Sequence, residues 1–224
     1  MERAQNLKAL MRYAQTPKER VAVIIVILFH MVGLIGFIVP PFDSIFLDIV
    51  PWHLLLMMGV ILFSHSELNG KFLLFAIIIF VIGFGAEFIG VHTGWLFGNY
   101  SYGETLGVKW FNIPLMIGVN WFLLIYSTGV SMRRSRIRNS FIRIIIGALI
   151  LLVLDMLIEP IAIHFDYWHW AGNGIPVKNY VCWFLLSAVL LFIFEQFKFK
   201  QQGIVAPVLL IMQFVFFMGL GIFN

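Results

Sequence analysis

Seven long apolar runs dominate this chain and constrain its fold more than any other feature. They lie near residues 21–39, 51–64, 71–91, 112–130, 141–163, 180–197 and 204–222. About 20 apolar residues cross a bilayer as a helix, and the chain is 61% hydrophobic and only 12% charged. The pattern predicts an all-α integral membrane protein with one transmembrane domain, residues 1–224, formed by a bundle of seven helices. The second run is short and begins at Pro51-Trp52, so a six-span bundle without it is the alternative.

The positions of the basic residues distinguish the two arrangements. With seven spans and a cytoplasmic N-terminus, 13 of the 15 basic residues fall on the cytoplasmic side, and only Lys109 and Lys178 fall outside. A six-span arrangement would distribute the basic residues over both sides of the membrane. Because cytoplasmic segments of membrane proteins are enriched in Lys and Arg, the charges favour seven spans. The net charge is +4, but because the basic residues are clustered in this way, they indicate membrane topology and not nucleic-acid binding.

The N-terminal segment, residues 1–18, is predicted to be an arm on the cytoplasmic membrane surface. Ala4, Leu7, Met11 and Ala14 share one helical stripe opposite basic residues, as in helices that lie in the interface. A solvated tail is the alternative interpretation.

Two outer loops, residues 92–111 and 164–179, are rich in aromatic side chains and glycine. One interpretation is the aromatic belt that many membrane proteins carry at the interface. However, polar residues are interleaved with the rings, for example Asn99, Asp166 and His169. Such a mixture suits a lid over a site for an apolar ligand that makes a few polar contacts.

Three carboxyl groups lie inside the apolar runs. Asp155 and Glu159 belong to the fifth run and Glu87 to the third. A carboxylate at the centre of a membrane helix costs about 2.5–3.5 kcal/mol by insertion scales. With a rise of about 1.5 Å per residue, Glu87 and Glu159 lie roughly 6 Å and Asp155 roughly 12 Å below the outer surface. All three therefore fall in the outer half of the membrane, where we expect a functional site.

Asp155 and Glu159 share one helix face because they are four residues apart. Two acids on one face repel each other if both ionise, so we expect at least one to remain protonated and able to donate a proton. Pro160 follows at once and deprives the carbonyl of residue 156 of its helical partner, which predicts a kink there. The alternative is a purely structural role, with each carboxyl bonded to a neighbouring span.

Two blocks of motifs are similar to a known family. The first block begins with Glu87-Phe-Ile-Gly90 and continues with Thr-Gly94, Phe-Gly98 and Tyr100-Ser-Tyr102. The second block begins with Asp155-x3-Glu159-Pro160 and continues with Trp168-x-Trp170, Gly-x-Pro176, Asn179 and Trp183. These blocks, over roughly residues 83–185, resemble the membrane carotenoid-biosynthesis family that includes carotenoid 1',2'-hydratases. The resemblance implies cofactor-independent addition of water to the terminal double bond of an acyclic carotenoid, in a bacterial or archaeal cytoplasmic membrane. The implied partners are the carotenoid and membrane lipid, and association with itself or with other carotenoid enzymes is left open.

Depth and pairing suggest roles within such a reaction. We expect Asp155 or Glu159 to donate a proton and Glu87 to position water or act as a second acid. The faces of aromatic rings stabilise nearby cations, and amides hold water or orient a carboxyl. The predicted pocket residues are Trp95, Tyr100, Tyr102, Asn120, Trp121, Trp168, Trp170, Asn179 and Trp183. No set of His, Cys and Asp residues has the spacing of a zinc site, and no metal site is expected.

Three other functions are compatible with buried acids. A carotenoid cyclase shares the first protonation but excludes water. A prenyltransferase would need Mg²⁺ at Asp155 and Glu159, yet a diphosphate site also needs cationic partners, and the outer loops offer only Lys109 and Lys178. A proton-coupled carrier of a lipophilic molecule would use the acids as a relay, although no inverted repeat supports it.

Overall fold

The computed structural model describes residues 16–40, 42–172 and 174–223. Over these residues the chain forms seven long helices, each long and apolar enough to cross a membrane. They are α1 Pro17–Ile38, α2 Asp43–Ser64, α3 Gly70–Thr93, α4 Leu115–Arg134, α5 Ser140–His164, α6 Val177–Phe197 and α7 Val205–Phe223. The prediction of a seven-helix, multi-pass integral membrane protein is confirmed. Most of the predicted arm, residues 1–15, lies outside the described residues, and Pro17 and Lys18 already belong to α1.

The second helix differs most from its predicted bounds. It begins at Asp43, eight residues before the predicted start at Pro51, and it continues through that proline. Asp43 and Asp48 break the apolar run in the sequence, and Pro51 resembles a helix start because its missing N–H is harmless there. The structure instead tolerates Pro51 inside the helix. In the same way α5 continues through Pro160 and ends at His164.

Helix α4 occupies the centre of the bundle. In its most apolar stretch 72% of the residues are buried, against 17–39% for the other six helices. Its mean hydropathy, 1.5, is the lowest of the seven, because it carries polar residues such as Asn120, Ser127 and Thr128. Those side chains face other helices rather than lipid, so the central helix is the one that tolerates polar groups.

Two short antiparallel ribbons lie at one end of the bundle, where α3 and α5 end and α4 and α6 begin. Strand β1, Tyr100–Tyr102, pairs with β4, Trp168–Trp170, and β2, Lys109–Trp110, pairs with β3, Ile113–Pro114. The sequence did not predict these strands. We call this the loop end of the bundle; the opposite end carries Arg133 and Arg143, which both pair with Glu195.

Candidate functional site

The ribbon of β1 and β4 positions four aromatic side chains over the loop end. Tyr100 lies opposite Trp170, and Tyr102 opposite Trp168. Successive side chains of a strand point to opposite faces, so these four residues share one face, and Ser101 and His169 point the other way. Two further backbone bonds, Ala171 N–H to the Asn99 carbonyl (2.9 Å) and Gly103 N–H to that of Tyr167 (3.0 Å), extend the pairing. The Y-x-Y and W-x-W motifs therefore present their rings to the helices below.

Glu87 of α3 accepts three hydrogen bonds. The hydroxyls of Tyr100 and Tyr102 donate to its Oε2 at 2.5 and 2.8 Å, and the indole N–H of Trp121 donates to Oε1 at 3.1 Å. Gly90, one turn later, leaves room for this arrangement, because a Cβ there would lie 2.6 Å from the Tyr100 hydroxyl oxygen. Glu87 is thus a buried carboxyl whose described partners are all donors.

Glu159 of α5 is held in the same way by other residues. Its Oε2 accepts the indole N–H groups of Trp168 and Trp170 at 3.0 and 2.9 Å, and its Oε1 accepts the side-chain amide of Asn179 at 2.9 Å. Strand β1 therefore supplies hydrogen-bond donors to Glu87, and strand β4 supplies donors to Glu159. Asn179 comes from the first turn of α6 and is 2% exposed.

Asp155 differs from the two glutamates. Its Oδ2 accepts the amide of Asn179 at 3.1 Å, so one amide joins Asp155 and Glu159. Its Oδ1 is buried and has no hydrogen-bond partner among the described residues. Asp155, Glu159 and Glu87 interact electrostatically with one another; we refer to these three residues as the acid cluster. The structure brings together the three acids that the sequence singled out.

The remaining predicted site residues occupy different positions. Trp121 and Trp183 stack with ring centroids 4.4 Å apart, beside Glu87. Asn120 lies not in the acid cluster but on the wall of a neighbouring cavity. Trp95 is 69% exposed; it follows the left-handed glycine that ends α3 and lies outside the acid cluster.

Electrostatics keep the ribbon tyrosines protonated. Burial, followed by the neighbouring Glu87 carboxyl, raises the pKa of Tyr100 above its ordinary value, and the same causes raise the pKa of Tyr102. Burial also raises the pKa of Tyr167, which precedes β4. All three phenols therefore remain neutral donors well above neutral pH.

These shifts predict alkaline unfolding. An unfolded tyrosine releases its proton near pH 10, whereas folded Tyr100 and Tyr102 retain theirs. Their contribution to stability is therefore complete below about pH 10 and is lost as the pH rises above it. In a pH titration in detergent, phenolate absorbance of these residues should appear together with loss of helical circular dichroism. The variant Tyr100→Phe/Tyr102→Phe should show a smaller coupled step; phenolate formation by both residues near pH 10 with the helices intact would contradict the prediction.

An apolar cavity adjoins the acid cluster. Its volume is about 340 Å³, and it is bounded by α1, α2, α4, α5, α7 and the residues before β4. Trp168 and Ile158 line it, and Trp168 also donates to Glu159, but the three acids themselves are not on its wall. Its polar lining residues include His30, His53 and Gln213, which the sequence did not predict to lie together. Each is a polar residue in a membrane helix, and this property could have marked them as candidates.

Over the described ranges, no group of three or more His, Cys, Asp and Glu side chains is arranged to hold a metal ion.

The fold and the site define a class: a seven-helix membrane protein with a buried acid cluster covered by an aromatic ribbon. Residues 49–223 match the model of a family described as carotenoid biosynthesis protein. The chain belongs to this family, and the resemblance seen in its motifs is confirmed.

A curated relative matches part of the chain. It is named bisanhydrobacterioruberin hydratase, from Haloarcula japonica (strain TR-1), and is 27% identical over 128 residues. The match covers 54% of this chain and 43% of the relative, so the chain aligns with less than half of that protein. No solved structure matches the chain.

Proposed function

We propose that this protein is a carotenoid 1',2'-hydratase, which adds water to the terminal C=C of an acyclic carotenoid end group through a tertiary carbocation. The observation that carries the proposal is the Oδ1 atom of Asp155. A buried polar atom left without a partner costs about 1–3 kcal/mol, which is offset if the atom serves a reacting ligand. The family, and the relative named bisanhydrobacterioruberin hydratase, support hydration of a carotenoid.

The hydrogen bonds suggest how the acids divide the work. An ionised carboxyl only accepts hydrogen bonds, whereas a protonated one also needs an acceptor for its own proton. Glu87 and Glu159 each accept three donors, which suits the ionised form. Asp155 Oδ1 accepts no hydrogen bond from the described residues, so it can carry a proton, and in this proposal the substrate double bond is the acceptor of that proton. We therefore assign proton donation to Asp155, with Asn179 as the residue that positions it.

The proposed reaction balances with water alone. The Asp155 carboxyl transfers its proton to one carbon of the double bond, and the adjacent tertiary carbon becomes cationic. A water oxygen attacks that carbon, and the extra proton of the resulting oxonium returns to the Asp155 carboxylate. Nothing is oxidised or reduced overall. Ring faces and the two ionised glutamates stabilise the intermediate positive charge.

The cavity supplies a place for the substrate beside these acids. Its lining is mostly apolar with a few polar groups, as is usual for ligand sites, and it shares Trp168 with the acid cluster. Because the acids are not on its wall, the double bond has to approach Asp155 past Trp168 and Ile158. In this proposal, rotation of the Trp168 indole away from Glu159 opens that path.

Expression in a host that accumulates lycopene or γ-carotene tests the function. We expect a new pigment whose mass exceeds that of its precursor by one or two water molecules, according to whether one or both ends react. The control is the same host without this chain. A product of unchanged mass with a new ring would indicate a cyclase instead, and unchanged pigment together with carotenoid movement across the membrane would indicate a carrier.

A further inference from the structure

The cavity reaches the outer surface of the bundle at α1 and α2. Four of its lining residues are exposed on the outside of the bundle: Phe29 and Val32 from α1, and Ile49 and Trp52 from α2, with exposures of 44%, 47%, 43% and 70%. In a membrane protein such apolar side chains face hydrocarbon. This arrangement suits a ligand that is dissolved in the bilayer and enters from the side, without passing through water.

The inner wall of the cavity carries a side-chain amide whose oxygen has no partner among the described residues. Gln213 of α7 is 8% exposed and lines the cavity, and its Oε1 has no hydrogen-bond partner among the described residues. Leaving a buried amide oxygen unpaired costs about 1–3 kcal/mol. Because Oε1 is itself enclosed, it pairs with a ligand once the terminal amide rotates to turn the oxygen toward the cavity. A ligand that brings an O–H or N–H donor then offsets this cost.

His30 adds a second acceptor to the same wall. Its Nδ1 lies 2.8 Å from the Val26 carbonyl, and a carbonyl only accepts, so Nδ1 carries the hydrogen and Nε2 keeps a lone pair. The ring of His53 lies edge-on to it, with centroids 4.7 Å apart. With α2 beginning at Asp43, His53 lies ten residues into the helix, roughly 15 Å from its start. The polar wall is thus deep in the membrane.

We propose that this cavity binds the branched apolar end of an isoprenoid tertiary alcohol, which enters between α1 and α2 and donates its hydroxyl to Gln213. A volume of about 340 Å³ is near the lower end of ligand pockets, so the cavity holds one end of a long chain while the rest stays in lipid. The choice of a tertiary alcohol rests on the proposed function, because hydration of the end group produces it. The cavity and its acceptors are independent of that choice.

Competition photolabelling of the purified full chain tests this proposal. The probe is a ten-carbon branched tertiary alcohol carrying a diazirine; the competitors are 2,6-dimethyloctan-2-ol and 2,6-dimethyloctane. We expect labelled peptides from the cavity wall, and about tenfold better competition by the alcohol, as expected for one hydrogen bond. Gln213→Leu should remove this preference while the helical content is unchanged. Equal competition in the wild type, or a preference that persists in Gln213→Leu, would overturn the proposal.

A matched pair of glycines tests the location. Gly33 lines the cavity, whereas Gly59 lies in α2 outside its lining, with nothing within 4 Å of an added Cβ. Gly33→Leu should abolish labelling and Gly59→Leu should preserve it; equal labelling of the two variants contradicts the assignment. If Gly33→Leu fails to accumulate, Ile49→Trp blocks the cavity from a side chain that is already partly exposed.

The Asp155→Asn variant separates this inference from the proposed function. Asp155 does not line the cavity, so the variant should bind the alcohol as the wild type does. If its alcohol preference is normal and the wild type forms no hydrated pigment, the proposed function fails and the binding site stands. If hydrated pigment forms but Gln213→Leu leaves the preference unchanged, the binding site fails and the function stands.

Discussion

Replacing Asp155 with asparagine is expected to lower hydrated product by at least about 100-fold, the lower range for a general acid, while the protein still accumulates in the membrane. Asparagine has the same shape and keeps an oxygen that accepts the Asn179 amide, as Oδ2 does now at 3.1 Å. Its amide nitrogen takes the place of Oδ1, which has no partner among the described residues. The variant therefore loses the acidic proton with little change in packing.

Pigment mass analysis, normalised to the amount of membrane-inserted protein, measures this effect. Asp48→Asn is the matched control, since it makes the same change in another membrane helix at an exposed position that belongs neither to the acid cluster nor to the cavity lining. It should retain wild-type product. If Asp155→Asn stays within about threefold of the wild type, well below the usual contribution of a general acid, then Asp155 is not the proton donor.

The two glutamates are less suitable for such a test. In Glu159→Gln an amide NH₂ would face either the Trp168 and Trp170 indoles or the Asn179 amide, and all three are donors. Glu87→Gln meets the same conflict with Tyr100, Tyr102 and Trp121. Two facing donors cost stability as well as activity, so we expect both variants to reduce product and also to lower the unfolding temperature.

Hydropathy was sufficient to predict the seven helices. The cost of buried charge singled out Glu87, Asp155 and Glu159, which the structure brings together. The sequence could not divide their roles, because that division depends on which donors reach each oxygen. Those donors lie on other elements: Trp121 is 34 residues from Glu87, and Asn179 is 24 residues from Asp155. Spacing along one helix contains no information about them.

The ribbon was missed although its signal was present. Tyr100-Ser-Tyr102 and Trp168-His-Trp170 each alternate with the period of a strand, but three residues are too few to distinguish a strand from an aromatic loop. The sequence contains even less signal for the cavity, since the cavity is formed by side chains from five helices that meet only in the folded bundle. The acids were predictable because each is anomalous by itself, whereas the cavity residues are unusual only together.

Glycines in α3 provide the second large expected effect, on stability. Gly83 and Gly85 are two residues apart in α3, and their surroundings differ. A Cβ on Gly83 would lie 2.6 Å from the Trp121 Cβ, whereas one on Gly85 would meet nothing within 4 Å. Gly83→Ala must therefore push α3 away from α4, at a cost of about 1–3 kcal/mol for overpacking.

Gly85→Ala is the matched control, two residues away in the same helix. It should leave stability unchanged or raise it by up to about 1 kcal/mol, because alanine is the better helix former. Thermal unfolding in detergent, followed by circular dichroism, should therefore give a lower midpoint for Gly83→Ala only. Product formation should fall in the same variant, since displacing Trp121 disturbs the indole that donates to Glu87 at 3.1 Å. Equal midpoints would mean that the contact between α3 and α4 is loose enough to absorb a methyl group, and Trp121 would then not hold Glu87 rigidly.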